Sequence, residues 1–339
     1  MRITQGTMMR QYNRRLNQVM RDMNLANQKV ITGRRFMSAS ENPAAYSRLS
    51  NLNKNFERNN QYIENVRDIQ GLFDVIESAM ISVWEEVGIE AYADKIERAL
   101  NGTMSVDERK IFATDLRVMQ ETLILNSNAV YNGEFIYGGS NKRTEPPFEL
   151  KDGKVYYRGV DVDGGNRAVL NELADEKIYI DFGFGLTVQR QNPQTGKYNE
   201  VVDNSAFNIA VPGITFLGYG KDENGDSNNI IVTLGKIADA LEEEPFIIEK
   251  VDHLWTMLNK QRTNLLTNVT GLGAKATFLE STLSRLETNQ FNMEKRIQDT
   301  AFEEPAQLIL DFSMRQYVYN TALKMGNSIL SPSFIDFMR

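Results

Sequence analysis

The chain has 339 residues, 41% of them hydrophobic, no cysteine and a formal net charge of −7. At roughly 100–200 residues per domain this is two or three domains with enough apolar content for real cores. Disulfide scaffolds, cysteine-based zinc sites and thiol nucleophiles are excluded, and the acidic balance argues against a dedicated nucleic-acid binder.

The first predicted element is a helix. Met9, Tyr12, Leu16, Val19, Met23, Ala26 and Val30 recur at alternating spacings of 3 and 4, the signature of a heptad seam. Gly33 stands where a glycine ends a helix. Residues 1–35 carry eight Arg/Lys against Asp22 alone. Such a charge could steer towards an acidic partner, but its ordinary reading is the solvated face of an amphipathic helix. Nucleic-acid binding would want aromatics among the cations, and the nearby Tyr12 and Phe36 fit the seam or its edge. The opening "MRITQGTMMRQYNRR" has no apolar core and no small-residue cleavage site, so no cleaved secretory signal is expected. No run of about 18 apolar residues exists to span a membrane.

The stretch "TGRRFMSASENPAAYSRL" (32–49) then raises a choice between a basic binding loop and a joint. Asn42 is a plausible N-cap, and Pro43 suits a first helical position, where its missing N–H costs nothing. The joint reading follows: Gly33 stops one helix, Asn42-Pro43 starts the next, and Arg34 and Arg35 lie between. Apolar residues recur at helical spacing from Leu49 to about Leu100. "NGT" (101–103) breaks the pattern, and Ser105 with Glu108 forms a capping-box pair for a helix to about Val130.

The middle changes character. Fifteen of the 23 glycines lie between 131 and 235, among aromatic and β-branched runs. Asp152-Gly153 inside "FELKDGKVYY" is a two-residue hairpin signal, and 186–202 reads as a second hairpin with a longer loop. Helix returns near Thr233. From Trp255, Leu258, Leu265, Leu272, Leu279, Leu286 and Met293 repeat every seven residues, a rod of about 60 Å. Pro305 interrupts it. A last seam holds Ile309, Phe312, Gln316, Tyr319, Leu323, Gly326 and Leu330, again at spacings of 3 and 4.

Catalytic and metal chemistry find no footing. His253 is the only histidine and reads as a surface or seam residue. "DVDGGN" (161–166) and "DENGDSN" (222–228) lack the glycine and glutamate that a calcium-binding EF-hand loop needs and read as turns. "DFGFG" (181–185) has the letters of a kinase motif without its Gly-rich loop, lysine or catalytic loop. No catalytic, cofactor-binding or metal residue is expected. The layout is nearly symmetric about the β insert, with a heptad helix of about 30 residues, some 45 Å long, at each end. One-seam helices are marginal alone, so the ends are expected to gain order from neighbouring subunits, with both seams and the joint residues Gly33, Arg34, Arg35, Asn42, Pro43 and Pro305 serving assembly.

Both ends carry a resemblance. "MRITQGTMMRQYNRRLNQVMRDMNLANQKVITGRRFMSASENPAAYSRLSNLNK" resembles the N-terminal region shared by bacterial flagellins and their junction proteins, and "QLILDFSMRQYVYNTALKMGNSILSPSFIDFMR" is similar to the matching C-terminus. "YNGEFIYGGSNKRTEPPF" (131–148) and "AFNIAVPGITFLGYGKDENGDSNNIIVTLGKIADALE" (206–242) resemble the entry to and exit from the β domain in the hook–filament junction family rather than in flagellins. "SENP" departs from the Asp-Asp pair that flagellins favour there. The resemblance implies an α+β fold: an elongated antiparallel bundle of long helices formed by both chain ends, with an inserted β-rich domain. The corresponding division is a terminal coiled coil (1–42 and 300–339), a helical rod (43–136 and 233–299) and an outer β-rich domain (137–232). It also implies a non-enzymatic extracellular adaptor, exported by the flagellar type III apparatus. Its implied partners are other copies of itself, a hook-side junction protein of the FlgK type, flagellin and a cytoplasmic export chaperone of the FlgN type. Flagellin itself, the bulk filament subunit, is the alternative.

Overall fold

The computed structural model describes residues 5–88, 90–140, 145–191, 198–202 and 205–330. The chain divides into two compact units, residues 1–60 with 287–339, and residues 61–286. The fold is α+β: long helices at both ends and small antiparallel sheets in the middle.

The first unit holds α1 (Gln5–Thr32), α9 (Pro305–Leu330), the first turns of α2 (Pro43–Val87) and the last turns of α8 (Ile248–Ala301). α1 ends where its sequence says it should: Gly33 adopts φ +70° and donates its N–H to the Lys29 carbonyl at 2.8 Å, a left-handed cap that a Cβ would strain. α9 starts on Pro305, so the proline opens the last helix, and the interruption itself falls on residues 302–304. α1 packs along α9. Tyr12 meets Ala322 while Arg34 bridges Phe302, so the two helices run in opposite directions.

The second unit is built on the rest of α2 and α8, with α3 (Glu90–Leu100), α4 (Val106–Ser127), α5 (Arg167–Ala174), α6 (Gly213–Leu217) and α7 (Ile230–Glu242). α4 opens on the expected capping box: Glu108 N–H donates to Ser105 Oγ at 3.3 Å, and Ser105 N–H donates to Glu108 Oε2 at 2.9 Å. α4 packs along α7, where Gln120 donates to the Ile231 carbonyl at 3.0 Å. Phe73, Ile76, Met80, Phe112, Leu123, Tyr137, Phe148, Tyr157, Phe182, Leu265 and Leu279 belong to one buried core. Each large apolar side chain removed from water there contributes on the order of 1.5–3 kcal/mol.

The strands of the insert are short. β1 (Val130–Tyr131) pairs with β2 (Glu134–Phe135), β3 (Phe148–Lys151) with β4 (Lys154–Tyr157), and β4 with β5 (Val160–Asp161). β6 (Tyr179–Ile180) pairs with β9 (Phe207–Asn208), and β7 (Val188–Gln191) with β8 (Tyr198–Val201). All are antiparallel. The Asp152-Gly153 hairpin forms in the expected register, with φ of 51° and 74° at the two turn residues, the left-handed pair a type I′ turn requires.

Three boundaries differ from the sequence expectation. The helix beginning at Pro43 does not run to Leu100. α2 stops at Val87, where Arg262 stacks on Trp84 at 4.2 Å and donates to its carbonyl at 3.2 Å. A Cβ on Gly88 would stand 1.9 Å from that guanidinium. A cation seated on the last carbonyls of a helix is a favourable terminus. The returning helix begins at Ile230 rather than Thr233, because Asn229 accepts from the N–H groups of Ile231 and Val232. It is also separate from the rod. Buried Arg109 pins the corner between α7 and α8, donating to the Leu241 carbonyl and to Glu244 Oε1 and stacking on Phe246 at 4.2 Å. The insert further contains α5 and α6, which the sequence reading did not anticipate.

Candidate assembly surface on the paired chain ends

The two seams meet each other before they meet anything else. On α1, Ala26 is buried, and Met9, Tyr12, Leu16, Val19, Met23 and Val30 are half-buried. On α9, Phe312 and Tyr319 are half-buried, whereas Ile309 and Leu323 remain exposed. The side chain of Leu330 lies outside the described residues. The Tyr12 hydroxyl donates to the Ala322 carbonyl at 3.0 Å. Gly326 makes room for it, and a Cβ there would lie 2.0 Å from the Tyr12 oxygen.

A second apolar face on α9 escaped the sequence reading. Leu310, Met314 and Tyr317 are 65%, 63% and 73% exposed, and Val318 and Met325 are exposed with them. Their spacing of 4, 3, 1 and 7 places them on one side of a helix. The signal was present: α9 is apolar on more sides than one seam needs, and a helix apolar all round is one meant for burial. α1 adds Met8, Met20 and Ile31 as exposed apolar side chains among exposed Arg10, Arg14, Arg15 and Arg21.

The joint residues converge at the base of this helix pair. Arg35 N–H donates to the Ala301 carbonyl at 2.8 Å, and Glu303 N–H donates to the Gly33 carbonyl at 3.1 Å. The two breaks in the chain are thereby sewn together by a short β-bridge at Arg34 and Phe302. Arg35 Nε lies 3.3 Å from Glu303 Oε2, both partly exposed. Phe36 is buried, its ring edge-on to Tyr46 with centroids 6.4 Å apart. Lys29 reaches across to Glu41 at 2.6 Å, and Glu41 also accepts from Met37 N–H. Burial pushes the Glu41 carboxyl up, but Lys29 and the Met37 N–H together hold it below its ordinary value. Asn42 caps α2 by accepting from Ala45 N–H at 3.0 Å, with Pro43 as the first helical residue. Glu304 takes the corresponding place before Pro305, its carbonyl accepting from Gln307 and Leu308.

Among the described residues no group of three or more His, Cys, Asp or Glu side chains is placed to hold a metal ion, and no helix is long and apolar enough to cross a membrane. His253 is exposed and lies 2.7 Å from Asp226.

Residues 3–142 match the model of the bacterial flagellin N-terminal helical region. The chain is also similar to flagellar hook-associated protein 3 of Escherichia coli (strain K12), 28% identical over 155 residues, which are 44% of this chain and 48% of that protein. The protein of the same name from Salmonella typhimurium (strain LT2) is 26% identical over 160 residues, 45% of each. The chain spans about half the length of the curated relatives it matches. A solved structure from Vibrio parahaemolyticus, assigned as a flagellar hook-associated protein, shares the fold with a TM-score of 0.59 at 17% identity. It covers 77% of this chain and all of that one. The resemblance read from the two chain ends and the two borders of the insert agrees with these relatives.

Proposed function

We propose that this chain is a structural adaptor of the bacterial flagellum, joining a hook-side junction protein of the FlgK type to the flagellin filament, and that it performs no catalysis. The observation that carries the reading is the paired ends α1 and α9. They satisfy part of their apolar surface against each other and leave a continuous apolar face on α9 for neighbouring subunits. In this reading residues 1–42 and 300–339 form the terminal coiled coil that orders on assembly. Residues 43–136 and 233–299 form the rod, and 137–232 the outer β-rich part. The seam residues from Met9 to Leu330 serve assembly with other copies, and the joint around Gly33, Asn42-Pro43 and Pro305 connects the terminal helices to the rod. The protein works outside the cell after export by the flagellar type III apparatus. A cytoplasmic chaperone of the FlgN type covers the exposed α9 face before export. A chain without cysteine suits that route, since no disulfide has to be undone before threading.

The test is complementation of a strain lacking the protein with a version lacking residues 306–339. The expected product is folded and soluble and does not enter the hook–filament junction by immunogold electron microscopy. Normal filaments from that version would overturn the proposal. The flagellin alternative draws on the match to the flagellin N-terminal region. Purified protein that grows long filaments from seeds would favour it over the adaptor.

A further inference from the structure

The 54-residue helix α8 carries two interior glycines, Gly271 and Gly273, each destabilising an exposed helix by roughly 1 kcal/mol relative to alanine. Gly271 lies on the floor of a cavity of about 350 Å³ within the second unit, where its missing side chain leaves open space. One turn further on, Lys275 lines the same cavity together with apolar Met80, Val211, Phe216 and Leu272 and with charged Asp175, Lys177 and Glu176, the last already paired with Arg158 at 2.7 Å. Lys275 also borders a second concavity, a shelf made by Phe184, Phe207 and Phe278. There Phe207 and Phe278 stack at 5.3 Å and Phe184 lies 5.7 Å from Phe278.

Lys275 is half-buried, and its hydrogen bond is a long one, 3.4 Å to the Asn208 carbonyl. Among the described residues no carboxylate lies within ion-pair distance of it. Burial lowers its pKa. An ammonium partly stripped of water with no counterion is a cost that an incoming anion would remove. The arrangement is a cation between a cavity of mixed polar and apolar lining and an aromatic shelf, the makeup of a small-ligand site.

We infer that the cleft around Lys275 is a binding site for a carboxylate carried on an apolar or aromatic body. The carboxylate takes the Lys275 ammonium, and the body fills the cavity over Gly271. Two sources have this chemistry, a free arylalkanoic acid and an acidic residue beside an aromatic one in a polypeptide. The site does not depend on the flagellar reading.

The experiment titrates the full chain with phenylacetate and, separately, with a blocked Phe-Glu dipeptide amide, followed by ligand-observed NMR and calorimetry. The expected result is saturable binding with a dissociation constant below about 1 mM, at least tenfold tighter than for phenylacetamide. Lys275→Met should weaken it at least tenfold. Gly271→Leu fills the floor, keeps the charge and favours helix, and should abolish binding without lowering the melting temperature. The tighter of the two probes names the source. On the unaltered protein, phenylacetate should protect Lys275 from reductive methylation, read by mass spectrometry. No binding of either probe up to about 10 mM, or binding and methylation indifferent to Lys275, would overturn the inference.

Discussion

The Tyr12 ring rests over Gly326. Its hydroxyl bonds the carbonyl of Ala322, and no side chain can stand at 326 without displacing it. This contact makes the sign of one substitution diagnostic. In an isolated helix Gly→Ala stabilises by up to about 1 kcal/mol. Here Gly326→Ala is expected to destabilise the pairing of α1 with α9 by about 1–3 kcal/mol, because overpacking outweighs propensity. Tyr12→Phe should cost about 1 kcal/mol, the ordinary value of one hydrogen bond. Thermal melting by circular dichroism, with amide exchange in α1 as the local probe, reads both. A Gly326→Ala protein more stable than its parent would show that the contact does not form.

At the joint, Phe36→Ala should open residues 34–42 to proteolysis and cost about 3–5 kcal/mol locally, because Phe36 is the buried residue there. The Arg35–Glu303 pair is more exposed and is worth at most about 1 kcal/mol. A double-mutant cycle with Arg35→Glu and Glu303→Arg should therefore return a small coupling, with cleavage rates barely changed. A coupling well above about 1 kcal/mol would mean that the backbone bridge is weaker than drawn.

Glu108 gives a pH dependence with a defined sign. The Ser105 backbone N–H, then the Arg98 guanidinium and the Ser105 hydroxyl, lower its carboxyl from 4.5 to about 2. A group whose folded pKa is depressed adds stability above its unfolded value, and loses it as pH falls through the folded one. The contribution of this cap is thus whole above pH 4.5 and fades towards pH 2. The side-chain carbon resonance of Glu108 should titrate well below that of an ordinary glutamate, and Glu108→Gln should flatten this part of the acid-melting curve. A midpoint near 4.5 would contradict the capping geometry.

Tyr317→Asp separates folding from assembly. Tyr317 is 73% exposed, so its loss should change monomer stability by no more than about 0.5 kcal/mol while abolishing incorporation into the flagellum. Leu323→Asp, at 42% exposure, should also hurt incorporation more than melting, but by a smaller margin. Equal effects on both readouts for Tyr317→Asp would remove the outer face of α9 from the proposed assembly surface.

Signals carried by adjacent residues were legible in the sequence. Gly33, Asn42-Pro43, Ser105 with Glu108 and Asp152-Gly153 each hold their own boundary through a cap or turn made within four residues. Features decided across the chain were not. The stop at Val87 depends on Arg262, which lies 178 residues beyond Trp84. The corner after Glu242 depends on Arg109, from a helix more than a hundred residues earlier. Short strands such as β5 and β6 have too few residues to show alternation. At the candidate surface, the 3-4 spacing on α9 picks out half-buried Phe312 and Tyr319 together with exposed Ile309 and Leu323, and it passes over the outer apolar face, because the helix carries more than one apolar register.

The bond from Tyr12 to Ala322 joins positions 310 residues apart. A ribosome adding about 5–20 residues per second needs on the order of 15–60 s to travel that distance. For that interval the residues of α1 have been made and their mate in α9 has not. The inner seam of α1 therefore waits for the partner residues of α9 to be made before its own chain can cover it. Whatever meets the nascent chain in the meantime finds α1 unpaired, and the moment of closure is set by translation rather than by folding.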